Sequence, residues 1–336
     1  MAPPVIWFLK RLAVAVVAAI LIVCMAYNVV TLRSKKLQRI ELRKRDLEPV
    51  LVGKEKKLYV RLVSRMGNHH FQIATLIALA GQTGRTPVLT SGSGDDIFVL
   101  YPDLTIPVLD TVTVAVDKKM NENRTVSYSE NLIADLKAQP GDVKICCFFE
   151  SWRYFWPDYE QEVRKQFSVS REILSNANDH LWSLIASLGD EMVEAARQKD
   201  VTFVGVHVRR GDKLKSAYGF QIAPLSYFKN SIIYFRKKYS DRKLVFVVTS
   251  DERKWVKENI KGSNVVFSEL QEAYEDFALL TICNHTISSV GTFSWWAGFL
   301  AGGDVLYYKH PTREGTLKHE RFKPQDFYLP KWIPYE

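Results

Sequence analysis

The alternation of apolar and polar positions changes character along the chain. From Leu12 to Leu32 run 21 residues without a charge, many of them Val, Ile, Leu or Ala. At ~1.5 Å of helical rise per residue such a run spans a bilayer core of ~30 Å, so it predicts a single transmembrane helix. A cleaved signal peptide is the rival reading, with Cys24 and Ala26 as small residues at the right separation, but the apolar run continues past them through Val29 and Val30. Residues 1–11 then form a short tail, 12–32 a signal-anchor and the charged stretch 33–56 a stem.

After the stem the pattern becomes that of a folded body. Lys57 to Val63 alternates like a short strand, Ser64 to Asn68 reads as a turn, and Phe71 to Ala80 reads as a helix closed by Gly81 and Gly84. A further strand is expected near Pro87 to Thr90. Periodicity weakens between Gly92 and Pro140, and Glu160 to Gln198 is mainly helical in pattern. From Val201 onward, apolar strands at Val201–Val208, Leu244–Thr249, Val265–Phe267, Thr286–Val290 and Val305–Tyr308 are separated by helical stretches. That alternation implies an α/β fold with parallel sheets and right-handed crossovers. Two Rossmann-like units, 57–195 and 196–336, facing a cleft are expected. Ligands then belong at the carboxyl ends of the strands, in the loops after Val63, Val208, Thr249 and Val290.

Charge narrows the class of partner. Lysine and arginine number 46 against 37 aspartates and glutamates, a surplus compatible with nucleic acid or anionic membrane. Its distribution argues otherwise, because residues 1–57 carry twelve basic and four acidic side chains and leave the body nearly neutral. A nucleic-acid partner is not expected. The basic residues after the apolar run outnumber Lys10 and Arg11 before it, which by the positive-inside rule places the body in the cytosol. Two sequons point to the lumen instead: Asn123-Arg-Thr in a polar stretch, and Asn284-His-Thr between apolar runs, where burial or disuse is an open alternative. Apart from Cys24, only Cys146, Cys147 and Cys283 remain, too few for a disulfide framework.

Three segments carry candidate chemistry. His207-Val-Arg-Arg-Gly-Asp212 closes a predicted strand, so His207 and Arg209 share one face while Arg210 can turn either way. Adjacent guanidinium groups at a strand mouth repel unless an anion compensates them, and a pyrophosphate accepts bidentate bonds from such forks. An ion pair between an arginine and Asp212 is the structural alternative. Ser64-Arg-Met-Gly67-Asn68 places a glycine in a strand-to-helix turn, where backbone N–H groups can meet a phosphate or where the turn serves packing alone. It has neither the lysine of a P-loop nor the three glycines of a dinucleotide fingerprint. Gly291-Thr292-Phe293-Ser294-Trp295-Trp296 again joins strand to helix, with Thr292 and Ser294 able to cap the helix or to bind phosphate oxygens. Trp295 and Trp296 are expected in the core. Asp276 and Asp251 fit a first-turn position or a ligand contact equally. No Asp-x-Asp triplet and no zinc-spaced His or Cys cluster occurs, so the departing anion is expected to be neutralised by side-chain cations, with no metal or other cofactor.

In order along the chain, Arg65-Met-Gly-Asn-His-His-Phe-Gln, Val204 to Asp212, Phe246 to Ser250, Asp276 to Ile287, Gly291 to Ala297 and Phe327 to Ile333 resemble the sequence blocks of the α-1,2-fucosyltransferases, glycosyltransferase family 11. The match runs over about residues 58–334. The resemblance implies a GT-B-like fold with 57–195 as the acceptor-side domain and 196–336 as the GDP-fucose-binding domain, GDP-β-L-fucose as donor, inversion, and a galactose-terminated glycan as acceptor. Carried over by position, Arg209 holds the diphosphate, with Arg210, His207 and Asp212 completing that block. By analogy with protein O-fucosyltransferases, the backbone around Met66, Gly67 and Asn68 approaches it from the other domain, while Thr292 and Ser294 assist and Asp276 reads guanine. Type II anchoring in the Golgi membrane, also implied by the resemblance, puts the body in the lumen. His69-His70 stands where the family more often has Gln-Met, which bears on acceptor choice. Asp212 and His69 are the candidates for general base. A fucosyltransferase of another linkage, or a tethered binding protein without turnover, is the alternative reading.

Overall fold

The computed structural model describes residues 55–90, 95–109, 116–122, 126–214 and 216–336. The transmembrane span at 12–32, most of the stem and Asn123 lie outside the described residues. Among the described residues no helix is long and apolar enough to cross a membrane.

The first half runs Lys57–Arg61 (β1), Met66–Thr83 (α1), Thr86–Thr90 (β2), Asp95–Leu100 (α2), Val108–Leu109 (β3), Lys118–Asn121 (β4), Leu132–Lys137 (α3) and Val143–Cys146 (β5). Helices Glu160–Gln166 (α4), Arg171–Ala186 (α5) and Asp190–Arg197 (α6) follow a short 3-10 turn at Trp152–Tyr154. The second half comprises Val201–Val208 (β6), Leu225–Lys238 (α7), Lys243–Ser250 (β7), Arg253–Asn259 (α8), Val265–Phe267 (β8), Ala273–Thr281 (α9) and His285–Ser288 (β9). It closes with Thr292–Ala301 (α10), Val305–Tyr308 (β10), Leu317–Arg321 (α11), Pro324–Phe327 (α12) and Ile333–Tyr335 (β11).

Two sheets result, ordered β3-β2-β1-β5-β4 and β11-β10-β9-β6-β7-β8, and every strand pairing in them is parallel. In the second sheet the chain moves outward from β6 through β7 and β8, then returns to the other side of β6 for β9, β10 and β11. The order therefore reverses between β6 and β9, and in the first sheet between β1 and β5. Crevices at such reversals, beyond the carboxyl ends of the strands, are where open parallel sheets bind ligands.

The pattern of burial explains how the layers stack. Helix α1 is buried from Met66 to Ala80 with few breaks, taking the polar His69, His70, Gln72 and Thr75 inside with its apolar residues. It lies on β1 and β2 and also against α10, which covers β9. Trp295 and Trp296 of α10 are fully buried, and the Trp295 indole donates to the Phe327 carbonyl at 2.7 Å. Val204, Val206 and Val208 face a second cluster with Tyr227, Phe228 and Phe235 of α7.

Several elements depart from the sequence expectation. Helix α1 starts at Met66, so the expected turn at residues 64–68 is largely its first turn, and Gly81 lies inside it while Gly84 ends it. Strands β3 and β4 have only two and four residues, and β4 is mostly exposed, so neither has an apolar stretch long enough to show periodicity. Helix α5 packs on α9 and β8, and α6 on β6. The last segment returns to the first half: Ser151 donates to the Asp326 carbonyl at 2.7 Å, and the Asp326 carboxylate accepts the Tyr128 N–H at 3.0 Å and pairs with Arg153 at 3.1 Å. Cys146 and Cys147 are disulfide-bonded and Cys283 is a buried free thiol. Asn284, for which burial was an open alternative, is exposed, and its side-chain oxygen accepts the Phe203 N–H at 2.8 Å.

Candidate functional site

The carboxyl ends of β6, β7 and β9 are stitched together by polar contacts. The Arg209 N–H donates to Ser289 Oγ at 2.9 Å, the Arg210 N–H to Asp251 Oδ1 at 2.9 Å, and Ser250 Oγ to the Val208 carbonyl at 2.8 Å. These bonds fix the backbone from which the arginines project. The Arg209 guanidinium spans two carboxylates, Asp212 at 2.6 Å and Asp251 at 2.9 Å, with a fifth of its side chain exposed. Asp212 also meets Lys213 at 3.4 Å and Arg65 at 3.8 Å, the latter contributed by the residue that precedes α1. Burial pushes the Asp212 carboxyl up, but Arg209, Lys213 and Arg65 together hold it below its ordinary value. A carboxylate so held is a weak proton acceptor. Its geometry suits positioning Arg209.

The expected pair of forks aimed at one anion is not what the structure builds. The Arg210 guanidinium lies 3.7 Å from the centre of the Trp255 ring on α8, diverging from Arg209. Asp212 and Asp251 compensate the positive charge at Arg209, which is the ion pair that the sequence offered as the structural alternative. His207 sits beneath Arg209, buried, with its ring stacked on Phe293 at 4.7 Å. Burial, reinforced by the charge of Arg209, depresses its pKa to about 3. The imidazole is therefore neutral at physiological pH.

Two helix starts meet above this rim. A Cβ on Gly67 would fall 2.6 Å from both the Phe293 nitrogen and Thr292 Oγ1, a clash no side chain tolerates. The glycine is thus required by the close approach of α10 to α1. Thr292 Oγ1 donates to Asn68 Oδ1 at 2.7 Å across the same contact. First-turn N–H groups have no intrahelical acceptor and carry the positive end of the helix dipole, so two such ends converge beside Arg209. In α1 the Asn68 and His69 N–H groups fold back onto the Arg65 carbonyl.

Neither hydroxyl of the Gly291 segment caps α10. Its N-cap is Gly291, whose φ of 93° falls in the left-handed region that favours glycine. Ser294 is fully buried and its Oγ accepts a bond from Ser288 Oγ at 2.9 Å. Its hydroxyl thus faces Ser288 in the interior, whereas Thr292 remains partly exposed. Met66 is buried, and Asn68 is partly exposed.

Asp276 occupies the mouth of β8, two strands from β6. Ser268 Oγ donates to it at 2.6 Å and Arg253 lies 3.9 Å away. Burial raises its pKa to about 6, against the opposing pull of Ser268 and Arg253. From β8 to β9 the same sheet edge thus presents Asp276, Arg253, Asp251, Arg209 and Thr292 in sequence.

The two histidines of α1 are both interior. His70 bonds the Met66 carbonyl at 2.8 Å and the Tyr101 hydroxyl at 2.6 Å, and its ring stacks on Trp296 at 5.3 Å. It belongs to the packing between α1 and α10. His69 is buried as well, and burial drops its pKa to about 4. Its enclosure counts against service as a base to an incoming hydroxyl.

Sequence reasoning passed over Arg65, Lys213, Arg253 and Glu150. Arg65 stands inside a quoted block and Lys213 follows one, so proximity to a motif was the only signal. Glu150, beyond the carboxyl end of β5, is half-buried; burial raises its pKa while Lys318 and Lys213 pull it down. Among the described residues no group of three or more His, Cys, Asp or Glu side chains is placed to hold a metal ion.

Comparison with known proteins agrees with the motif reading. The chain is 35% identical over 282 residues to human galactoside alpha-(1,2)-fucosyltransferase 1, covering 80% of this chain and 72% of that protein. It is 36% identical over 281 residues to the enzyme of the same name from Saimiri boliviensis boliviensis, with the same coverage. Among solved structures, the fucosyltransferase NodZ from Bradyrhizobium aligns with 14% identity and a TM-score of 0.46, over 73% of this chain and 92% of that one. Residues 25–336 match the sequence profile of glycosyl transferase family 11, and the chain belongs to that family.

Proposed function

We propose that this protein transfers L-fucose from GDP-β-L-fucose to the 2-hydroxyl of a terminal galactose on a glycan, with inversion at the sugar. The relatives' α-1,2 activity on galactosides supports the reaction, and the observation that carries it in this chain is Arg209 held at the β6–β9 reversal beside two converging helix starts. The strand orders support a GT-B-like reading with halves at 57–195 and 196–336.

As the bond from the fucose C1 to the diphosphate oxygen breaks, negative charge grows on the GDP. A guanidinium and helix N-termini aimed at that charge stabilise it more in the transition state than in the ground state, which lowers the barrier. Arg209 can take a phosphate oxygen by exchanging one of its two carboxylates, most simply Asp212, which retains Lys213 and Arg65 as partners. Asp212 and Asp251 thereby aim Arg209 before the donor arrives. Thr292 and Asn68 lie where the same anion passes between the halves, and Asp276, with Arg253 beside it, is placed for a base or ribose lying along the β7–β8 edge. Lumenal anchoring in the Golgi membrane through residues 12–32 completes the reading, with Asn123 and Asn284 as glycosylation acceptors.

The test is incubation of membranes bearing the full chain with labelled GDP-fucose and a panel of β-galactosides. Label on galactose that an α-1,2-specific fucosidase releases is the expected result. Transfer to no galactoside, or release only by a fucosidase of another linkage, overturns the proposal. Protease added to intact vesicles should leave the body intact; its digestion overturns the lumenal assignment.

A further inference from the structure

Beyond the donor edge, the second sheet has another opening that the reaction as described does not use. At the carboxyl end of β10 lies a cavity of about 520 Å³ lined by Gln221, Thr312, Arg313, Glu314, His319 and Phe322, among others. That volume falls within the range of small-molecule sites. Its wall mixes an amide, a hydroxyl, a carboxylate, an imidazole and a guanidinium, which is the mixture of donors and acceptors that a polyhydroxylated ligand needs.

The cavity connects to the catalytic rim through a continuous series of contacts. Arg209 binds Asp212 at 2.6 Å, and Asp212 meets Lys213 at 3.4 Å. Lys213 Nζ lies 3.9 Å from the centre of the Phe220 ring, and Lys318 Nζ lies 4.1 Å from the same ring. Phe220 forms an antiparallel bridge with Thr312, whose hydroxyl meets His319 Nδ1 at 3.0 Å. The two loops that bear these residues are joined further by the Arg313 N–H to the Gly219 carbonyl at 2.8 Å and by the Arg313 guanidinium to the Ser216 carbonyl at 3.0 Å.

The segments that bear these residues also carry exposed apolar side chains. Of the five most exposed large hydrophobic side chains among the described residues, three belong to these stretches of chain: Tyr218 at 82%, Leu317, the first residue of α11, at 58% and Leu214 at 47%. A polar cavity and an aromatic face left in water three residues before its Gln221 suit the two surfaces of a sugar ring, hydroxyls at the edge and C–H groups on the face.

We propose that this cavity, together with the exposed Tyr218 on the segment that bears Gln221, forms the subsite for the acceptor glycan beyond its terminal galactose. The galactose sits at the lip beside Lys213, within reach of the Arg209 edge, and the sugars that follow it occupy the cavity and lie against Tyr218. The proposal rests on the galactoside reading above and adds to it where acceptor choice is made. Penultimate sugars are discriminated by the stretches at 216–221 and 309–322 rather than by His69 and His70.

The experiment compares two acceptors on the full-length enzyme in detergent: methyl β-galactoside, which ends at the lip, and a galactose-terminated trisaccharide, which reaches the cavity. Tyr218→Ala and Gln221→Ala should each raise KM for the trisaccharide by roughly ten-fold, while KM for methyl β-galactoside and for GDP-fucose changes less than about two-fold. Tyr218→Phe, which keeps the aromatic face, should restore the parental trisaccharide KM. Unchanged trisaccharide KM in both alanine variants overturns the subsite, as does an equal rise for both acceptors or for GDP-fucose. Unaltered GDP binding confirms that the variants fold. A parent enzyme that fucosylates neither acceptor sinks the galactoside reading itself, which separates the two failures.

Discussion

The charged rim around Arg209 and the aromatic contact between α1 and α10 are built from the same three elements, yet they obey different physics. In β6, His207 is buried and neutral while Arg209, two residues on, is ion-paired and partly exposed. In α10, Thr292 bonds Asn68 at the rim while Trp296 stacks on His70 inside. In α1, Asn68 and His70 divide in the same way. The interior contact holds the halves together through area and shape, whereas the rim keeps charge in place by pairing it. Moving two to four residues along one element exchanges a stability function for a chemical one.

The comparison breaks first at Trp296, where the largest effect is expected. Trp296→Ala should cost about 3–5 kcal/mol of unfolding free energy, as large-to-small changes in a packed core do. Chemical denaturation measures it, and a variant with parental stability but lost GDP binding would put the tryptophan at the site instead. Arg209→Met should do the reverse. By analogy with loss of one oxyanion donor, kcat/KM is expected to fall by about 10²–10³, or ~2.7–4 kcal/mol, with the GDP complex weakened and the fold intact. Activity within a factor of three of the parent would remove Arg209 from the mechanism.

A pH measurement sharpens the interior side. The Glu122 carboxylate accepts the Phe148 and Phe149 N–H groups at 3.2 and 3.0 Å, and burial raises its pKa from 4.5 to about 8. Between those values the folded chain holds a proton that the unfolded chain has released. Its contribution to stability is therefore greatest below pH 4.5 and declines as pH rises toward 8, by at most ~1.4 kcal/mol per unit. Glu122→Gln keeps an acceptor for both N–H groups and should flatten that decline; parallel stability curves for parent and variant between pH 5 and 8 would contradict the assignment. The smallest effect is expected for Thr292→Val, which deletes one hydrogen bond across the two helix starts. A loss of about 1 kcal/mol in stability together with a modest rise in KM for GDP-fucose is expected. A rise in acceptor KM alone would place Thr292 elsewhere.

What could be read from the sequence follows from strand length and chain locality. Val201–Val208 and Val305–Tyr308 are recovered to the residue because a strand buried on both faces is a continuous apolar run. Strands β3 and β4 leave no such trace, and β11 depends on pairing with β10 rather than on its own composition. At the site, Arg209 and Asp212 are three residues apart and their pairing was already an alternative in the sequence. Asp251, 42 positions from Arg209, becomes its second partner only because β6 and β7 are neighbours. Ser294 shows the same dependence on the fold: its place in a motif says nothing of orientation, and the helix turns its hydroxyl inward to Ser288.

The sequence by itself determined the family, the parallel α/β architecture and the strand ends that bear the arginines, since each depends on residue types at short, fixed spacings. Only the tertiary structure decided that Arg210 leaves Arg209 for Trp255, that Gly67 exists for the passage of α10, and that His70 is packing. Those outcomes depend on which side chains arrive from more than forty residues away. Burial and partner charge, which set pKa and orientation, do not exist until the sheets are assembled.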